Sequence, residues 1–237
     1  MKSLLRMGLC VALLSSVAFA RNPHEHRGFY FSAGIGPAYL SYQGNEEYSD
    51  YRYSYGESGS TYIPTRVKEE GSYDAFIFPA LDFRFGKSAF NLLVFYTTFD
   101  LMMDTGNWEA KYEETSEDSS YYNSYKADAD RSYLLSFGGG LGFDVYPFLN
   151  PHSVLRGFHL GESVSVEGVY IDAFGSDVSQ GGGVAIANRI NVGMDWWVSD
   201  TWSMGVEFSY TNFSYSDGNY EDASQHLFRL MFRLTRG

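Results

Sequence analysis

The chain has little cysteine, a shortage of basic residues and, after residue 20, no long apolar run. Its 237 residues include one Cys, which excludes both a disulfide framework and a cysteine-based zinc site. Lys and Arg number 17 against 29 Asp and Glu, a formal net charge of -12. Such an acidic balance argues against nucleic acid as a partner, because binding phosphates requires a basic surface.

Aromatic and apolar side chains are abundant by contrast. Hydrophobic residues make up 44% of the sequence and aromatic residues 18%, with 20 Tyr and 19 Phe. Disordered chains are poor in aromatic residues, so this composition indicates a folded protein. The mean hydropathy is nevertheless -0.25, so the apolar residues must be interspersed with polar ones.

The first twenty residues have the composition of a targeting segment. Two basic residues stand within the first six, residues 7–19 are apolar, and Ala18-Phe19-Ala20 is a small-x-small cleavage signature. We predict a secretory signal peptide over residues 1–20, followed by an N-terminal periplasmic segment over residues 21–27. A membrane anchor is the alternative, but the apolar stretch is shorter than the ~20 residues that span a bilayer.

Alternation of apolar with polar or small residues runs through the remaining chain, and this period of two predicts β-strands. In one of these segments, Ala75, Ile77 and Phe83 fall on the apolar face, opposite Asp82 and Arg84. Soluble strands usually have ~5–6 residues, whereas bilayer-spanning strands need ~9–11. The eight segments are 28–42, 73–85, 89–101 (apolar on both faces, so its register is open), 132–146, 158–174, 184–198, 202–212 and 226–234.

The connections between these segments alternate in length. Taken in chain order they are residues 43–72, 86–88, 102–131, 147–157, 175–183, 199–201 and 213–225. Long loops on one side and tight turns on the other are typical of transmembrane barrels. We therefore predict an all-β fold, an eight-stranded antiparallel transmembrane β-barrel over residues 28–237 with short periplasmic turns and long extracellular loops. A soluble closed barrel such as a lipocalin is the alternative.

Aromatic residues on the apolar faces fall near both ends of the predicted strands. Amphipathic rings settle at the two membrane interfaces, so two belts are expected around a transmembrane barrel. The predicted membrane-interface girdle comprises Tyr39, Phe85, Tyr133, Phe143, Phe158, Tyr170, Trp196, Trp202 and Tyr210.

The chain resembles the small OmpA/OmpX-like outer-membrane β-barrel proteins of Gram-negative bacteria. The resemblance rests on the signal peptide, the opening GFYFSAGIGPAY, the glycine-rich SFGGGLGFDVY and the aromatic last segment HLFRLMFRL. It implies location in the cell outer membrane, with the lipid bilayer and the barrel-insertion machinery as partners.

Charged residues recur on the polar faces of the predicted strands. An eight-stranded barrel is only wide enough to be filled by side chains, and buried charges must be paired and hydrogen-bonded. We therefore predict a salt-bridged interior without an open pore, with Glu207 opposite Arg229, and with Gly138, Gly140 and Gly142 leaving room for arginine. A proton or ion path is the alternative. The predicted network comprises Asp82, Arg84, Asp144, Glu167, Arg189, Asp195, Glu207, Arg229 and Arg233.

The predicted long loops hold most of the negative charge and 11 of the 20 Tyr. Tyr with Ser, Gly and Asn is typical of adaptable binding surfaces. We expect a structural, surface-interaction or adhesion role, with an extracellular ligand bound through residues 43–72 and 102–130. A channel or transporter for small solutes is the alternative.

Catalysis and cofactor binding have little support in the sequence. Neither G-x-S-x-G nor H-E-x-x-H occurs, and the acidic loops lack the spacing of a calcium loop. His159 is expected to be a hydrogen-bonded interior residue. His226 with Ser224 near the outer rim leaves a lipid-modifying enzyme as a further alternative. We predict no enzymatic activity, no cofactor and no metal.

Overall fold

The structure is a computed structural model that describes residues 28–56, 59–116, 121–150, 152–173, 181–215 and 223–237. Among these residues no helix is long and apolar enough to cross a membrane. The predicted signal peptide and the segment 21–27 lie outside the described residues and stay predictions. The strands are β1 Gly28–Gly56, β2 Gly59–Ala89, β3 Leu93–Ser116, β4 Tyr122–Val145, β5 Phe158–Ala173, β6 Gly181–Trp197, β7 Trp202–Tyr215 and β8 Ser224–Arg236.

The eight strands close into a barrel. Each strand pairs antiparallel with its neighbours in chain order, and β1 also pairs with β8, from Phe31↔Arg236 to Gln43↔Ser224. Over these paired residues, closure removes the unpaired edges that an open sheet would present. The predicted eight-stranded antiparallel barrel is confirmed.

Alternation along the strands separates an apolar outer face from a lumen that contains buried polar groups. On β5, Leu160, Val164 and Val166 are 48%, 50% and 57% exposed, whereas Ser163 and Glu167 are each 2% exposed. An apolar outer band around a polar interior is the arrangement of barrels that span a bilayer. The fold is therefore that of an outer-membrane-type transmembrane barrel.

One part of β2 departs from the predicted alternation. Ala75 and Ile77, expected on the outer face, are buried in the lumen, while Phe76 and Phe78 are 70% and 64% exposed. The β2–β3 register shifts between Asp74 and Ala80. An irregularity of this kind inverts the inward and outward phases of a strand, so one continuous pattern cannot describe both sides of it.

The first short turn lies four residues later than predicted. β2 continues through residues 86–88 to Ala89, and the turn is centred on Phe90 and Asn91, whose φ angles are 58° and 56°. The Leu92 N–H donates to the Ala89 carbonyl oxygen over 3.2 Å. Two central residues with positive φ make this a type I′ hairpin turn. The β6–β7 connection is short, as predicted for residues 199–201.

The connection between β4 and β5 folds back under the barrel. The Asp195 N–H donates to the Gly157 carbonyl oxygen over 3.0 Å, and a Cβ at Gly157 would lie 1.8 Å from the Asp195 carbonyl oxygen. Tyr146, at the start of the connection, is buried and donates from its hydroxyl to the Asp195 carboxylate over 3.1 Å. This connection therefore helps to close the periplasmic end.

The two longest predicted loops are largely strand. β1 and β2 continue through most of 43–72, and β3 and β4 through most of 102–131. β2 and β3 pair with each other as far out as Thr65↔Ser116, so the two hairpins form one four-stranded sheet. Tyr and Thr favour strands, which suits these sequences to extended pairing. We call residues 44–56, 59–74, 107–116 and 121–131 the extracellular sheet.

The remaining two outer connections are described only at their ends. β5 ends at Ala173 and β6 begins at Gly181, while β7 ends at Tyr215 and β8 begins at Ser224. The central parts of the predicted loops 175–183 and 213–225 lie outside the described residues.

The lipid-facing position of Val166 generates a test of the fold. Val166→Arg should destabilise the barrel by about 2–4 kcal/mol, because it places a charge on the lipid face near the middle of a spanning strand. Val198→Arg, at an equally exposed position in a periplasmic turn (58% against 57%), should cost about 0–1 kcal/mol. Denaturant unfolding in lipid vesicles, followed by the gel migration of unboiled samples, measures both. Equal costs would contradict the placement of Val166 in the bilayer interior and of Val198 at its edge.

Candidate functional site

The structure places every predicted network residue inside the lumen. Because inward and outward positions alternate on each strand, side chains from β2, β4, β5, β6, β7 and β8 converge there. Each of the nine is at most 3% exposed: Asp82, Arg84, Asp144, Glu167, Arg189, Asp195, Glu207, Arg229 and Arg233.

Arg84 is the centre of the periplasmic half of this network. Its Nη2 donates to Glu207 Oε1 over 2.6 Å, and its Nη1 donates to Glu207 Oε2 over 2.9 Å and to Asp144 Oδ2 over 3.2 Å. The guanidinium also lies 4.7 Å from the centre of the Tyr96 ring. A bidentate arginine–carboxylate pair is among the strongest polar contacts available to a buried cation.

Asp82 connects the two halves of the network. Its Oδ1 lies 2.7 Å from Arg233 Nη2 and 3.3 Å from Arg84 Nε. Its Oδ2 accepts from Arg189 Nη1 over 2.8 Å. One carboxylate therefore bridges three guanidiniums.

Asp100 is the network member that the sequence pattern missed. It accepts from Arg189 Nη2 and from Arg229 Nη1, each over 2.5 Å. It lies in the segment 89–101, whose two apolar faces left the register open. Alternation of Thr98 and Asp100 with Phe99 is the signal that marks the inward phase there.

The predicted pairing of Glu207 with Arg229 is wrong. Glu207 lies opposite Met231, and Arg229 lies opposite Ser209. Glu207 instead bonds Arg84 across the lumen and Arg233, whose Nη1 donates to Glu207 Oε1 over 3.0 Å. An arginine side chain is long enough to reach carboxylates on the far side of the lumen. The register between adjacent strands therefore does not determine which charged residues form ion pairs.

Glu167 is buried but not joined to an arginine by a salt bridge among the described contacts. Ser165 Oγ donates to Glu167 Oε1 over 2.7 Å. A Cβ at Gly138 would lie 2.2 Å from Glu167 Cδ, and one at Gly142 would lie 2.6 Å from a Tyr96 ring carbon. These glycines therefore make room for Glu167 and Tyr96, and not for arginine as predicted.

His159 and Asp195 lie at the periplasmic end of the lumen. The His159 Nδ1 is 3.3 Å from the Gly157 carbonyl oxygen, and its Nε2 is 3.3 Å from Glu207 Oε2. Ligand atoms of Asp144, His159 and Glu207 lie within 4.8 Å of one another, the spacing of a metal site. Arg84 already donates to both carboxylates, however, and its positive charge disfavours a metal ion at the same place.

The outward half of the lumen is filled by apolar side chains. Leu40, Ile77, Met102, Leu134 and Leu227 are at most 2% exposed and belong to one buried cluster. A second cluster of Tyr30, Val94, Tyr96 and Tyr146 lies at the periplasmic end. The charge network therefore lies between an apolar layer and a layer rich in Tyr.

The predicted girdle residues all lie on strand faces that point away from the lumen. Six are between 38% and 53% exposed: Tyr39, Phe85, Tyr133, Phe143, Tyr170 and Trp196. The other three are half-buried against neighbours: Phe158 against Phe148, Trp202 beside Arg236, and Tyr210 against His226 and Phe228.

His226 does not pair with a serine hydroxyl among the described hydrogen bonds. Its Nδ1 lies 2.8 Å from the Tyr210 hydroxyl oxygen and 3.4 Å from Asn212 Nδ2. The His226–Ser224 arrangement that a lipid-modifying enzyme requires is therefore not formed by these residues.

A cavity of about 300 Å³ opens on the extracellular sheet. Arg52 lines it and lies 2.7 Å from Glu114 Oε2, with its guanidinium 4.4 Å from the centre of the Tyr121 ring and bonded to the Tyr121 hydroxyl. The lining residues are Asp50, Tyr51, Arg52, Thr65, Val67, Glu114, Asn123 and Tyr125.

One of two stacked tyrosine rings, that of Tyr125, lines the cavity. The rings of Tyr112 and Tyr125 lie 5.0 Å apart at 14°, and the Tyr112 hydroxyl donates to Glu69 Oε1 over 3.0 Å. Burial and the nearby Glu69 carboxylate raise the pKa of Tyr112, so its hydroxyl stays protonated and continues to donate at neutral pH. The hydrogen bond and the ring stacking thereby hold Tyr112, Tyr125 and the Glu69 carboxylate together.

No protein-family model and no curated protein matches the chain. Among solved structures, it is similar to the Neisserial surface protein NspA, at 14% identity and a TM-score of 0.40 over 88% of this chain and 96% of that one. It is also similar to the outer-membrane protein OprG from Pseudomonas aeruginosa, at 11% identity and a TM-score of 0.40 over 89% and 97%. The function is therefore inferred from the residues of this chain.

The lumen network generates a second prediction. Arg84→Met should destabilise the barrel by about 3–5 kcal/mol, because it leaves buried carboxylates uncompensated. Adding Glu207→Gln should recover part of that loss. Arg52→Met, at the exposed salt bridge with Glu114, is the matched control and should cost about 0–1 kcal/mol. Unfolding free energies in vesicles measure all three, and equal costs for Arg84 and Arg52 would contradict a stabilising network.

Proposed function

We propose that this is an outer-membrane protein whose closed barrel carries the extracellular sheet as a surface-interaction module. The observation that carries the proposal is the contrast between the barrel lumen and the extracellular sheet. The lumen is filled by ion pairs and apolar side chains, whereas the extracellular sheet stands beyond the barrel and contains an open cavity. A function in binding therefore belongs to the sheet.

The charge of the two long segments that contain most of the extracellular sheet favours a basic partner. Residues 43–72 contain six acidic and three basic residues, and residues 102–130 contain eight acidic and two basic residues, so the two segments have net charges of -3 and -6. The same segments hold nine of the 20 Tyr. Complementary charge accelerates and orients association, and Tyr supplies large contact area with little conformational entropy to lose.

The OmpA/OmpX-like assignment, the cell outer membrane as location and delivery by the barrel-insertion machinery belong to this proposal. Eight strands, short turns at one end and an apolar outer band support them. A structural and adhesive role, without catalysis, agrees with the ion pairs and buried apolar side chains that occupy the described part of the lumen.

The filled lumen gives a prediction that separates this role from a channel. Purified protein in planar bilayers should show no stable conductance steps, because the apolar layer and the ion pairs leave no continuous aqueous path. Reproducible unitary steps at constant voltage would favour the channel alternative.

Shortening one hairpin should reduce surface binding. Replacing residues 109–128 by Asn-Gly joins β3 to β4 near the paired positions Trp108 and Ala129 and keeps a hairpin turn. Cells displaying this variant should bind polylysine-coated surfaces several-fold less than cells displaying the full chain. Asp200→Asn, in a periplasmic turn, is the control and should leave binding unchanged. Unchanged binding by the shortened protein would contradict the proposal.

A further inference from the structure

We infer that the connection between β4 and β5, residues 146–157, lies in the periplasmic leaflet of the bilayer, where its apolar side chains enter the lipid and Arg156 binds a phospholipid phosphate. We call these residues the periplasmic connection. They lie at the end of the barrel opposite the extracellular sheet, so the inference does not depend on the proposed surface-interaction function. Three observations carry it: exposed apolar side chains on a fixed turn, their continuity with the outer face of the barrel, and the charge beside them.

The periplasmic connection exposes four large apolar side chains. Val154 is 86% exposed, and three others are between 39% and 51% exposed: Phe148, Leu149 and Leu155. Apolar side chains exposed together mark contacts with membranes or with other proteins. The surface therefore requires an apolar partner.

Hydrogen bonds hold this exposed surface in one shape. The Ser153 N–H donates to the Asn150 carbonyl oxygen over 3.0 Å, and the Arg156 N–H donates to the Ser153 carbonyl oxygen over 3.2 Å. The Leu155 N–H also donates to Ser153 Oγ over 3.2 Å. Val154 and Leu155 are therefore the central residues of a hydrogen-bonded turn, and the folded connection itself places them outward.

The periplasmic connection crosses the rim of the barrel from the lumen to the outer face. Tyr146, at its start, is buried and donates to Asp195 in the lumen. Two residues later, the Phe148 ring packs on the Phe158 ring, with the ring centres 5.8 Å apart and the planes at 66°. Phe158 belongs to the girdle and points away from the lumen, so Phe148 lies on the outer side of the wall. Leu149 follows directly, and the exposed apolar surface thereby continues the outer band that faces the bilayer.

The neighbouring β2–β3 turn adds an exposed aromatic ring at the same end. Phe90 is 88% exposed, and its φ of 58° is a left-handed conformation that bulky residues rarely adopt. The Tyr146 N–H donates to the Leu92 carbonyl oxygen over 2.8 Å, which joins this turn to the periplasmic connection. A ring in place of the Asn or Gly that such a turn favours is suited to the membrane interface, where aromatic rings settle.

The charge of the periplasmic connection also suits a lipid surface. Arg156 is its only residue of the types Lys, Arg, Asp and Glu, and it directly follows the exposed Leu155. Arg156 forms no salt bridge within the described part of the chain. A guanidinium binds a phosphate through two parallel N–H···O bonds, while its aliphatic stem lies along apolar groups. A phospholipid, which combines a phosphate with acyl chains, is therefore complementary to this surface.

Spin labels test the position of the periplasmic connection. With the single cysteine, Cys10, replaced by Ser, Val154→Cys and Leu155→Cys each carry a nitroxide in the full-length protein, in vesicles of phosphatidylethanolamine and phosphatidylglycerol. Oxygen concentrates in lipid and a charged nickel chelate in water. Both labels should therefore collide several-fold more often with oxygen than with the nickel chelate. Asp200→Cys, exposed in the short β6–β7 connection, is the matched control and should show the reverse order.

Two charge reversals test the contact between Arg156 and phosphate. Arg156→Glu repels the headgroups and should lower the oxygen-to-nickel collision ratio of the label at residue 154 by about twofold or more. Lys87→Glu makes the same change of charge at an exposed position near the periplasmic end of β2 and should leave that ratio unchanged. The gel migration of unboiled samples verifies that every variant is folded.

Several outcomes would overturn the inference. Nickel access at residues 154 and 155 equal to that at residue 200 would place the periplasmic connection in water. Spin–spin broadening at residue 154 that disappears on dilution with unlabelled protein would assign the surface to a second copy and reject the lipid contact. An unchanged ratio in Arg156→Glu, or an equal loss in Lys87→Glu, would reject the phosphate contact of Arg156. None of these outcomes bears on the surface-interaction function, which polylysine surfaces test separately.

Discussion

The burial of four arginines within an eight-stranded barrel is the constraint on which the rest of this structure depends. A lumen of this size is filled by side chains, and a guanidinium removed from water must be met by carboxylates with good geometry. Asp82, Asp100 and Glu207 each contact more than one arginine. The network therefore ties β2, β3, β6, β7 and β8 together through the lumen, independently of the strand pairing.

This constraint also divides the molecule by function. Ion pairs and the apolar layer that contains Leu40 and Leu227 occupy the space that a solute would need. The binding groups must then lie elsewhere, and the extracellular sheet is where exposed aromatic, acidic and cationic groups occur together. The barrel acts as an anchor and the sheet as the part that meets other molecules.

The sequence predicts the barrel well because one physical rule, alternation between lipid and lumen, repeats along every strand. The prediction fails where a register shift interrupts the alternation, as between Asp74 and Ala80, where Ala75 and Ile77 point into the lumen. The sequence predicts a turn at Gly86, but Gly86 lies within β2 and allows close packing, because a Cβ there would lie 1.9 Å from the Phe95 carbonyl oxygen. The actual turn uses Phe90 and Asn91, without glycine.

The site was harder to predict than the fold. Which residues face the lumen follows from alternation, but their partners depend on side-chain reach across the barrel, which placed Arg229 with Asp100 and not with Glu207. Polar, acidic and Tyr-rich segments such as 43–72 have the composition of loops. Their extended pairing depends on the continuation of hydrogen bonding from the barrel strands below, which composition does not show.

The unequal lengths of the strands leave the rim of the barrel far from level. β1 to β4 contain 24 to 31 residues, while β5 to β8 contain 13 to 17. Thirteen residues of β1 beyond Gln43 correspond to about 40 Å of extended chain. The described strands β1 to β4 therefore extend much further outward than β5 to β8. Among the described residues, the inner surface of the extracellular sheet is therefore accessible from the side of the shorter strands as well as along the barrel axis.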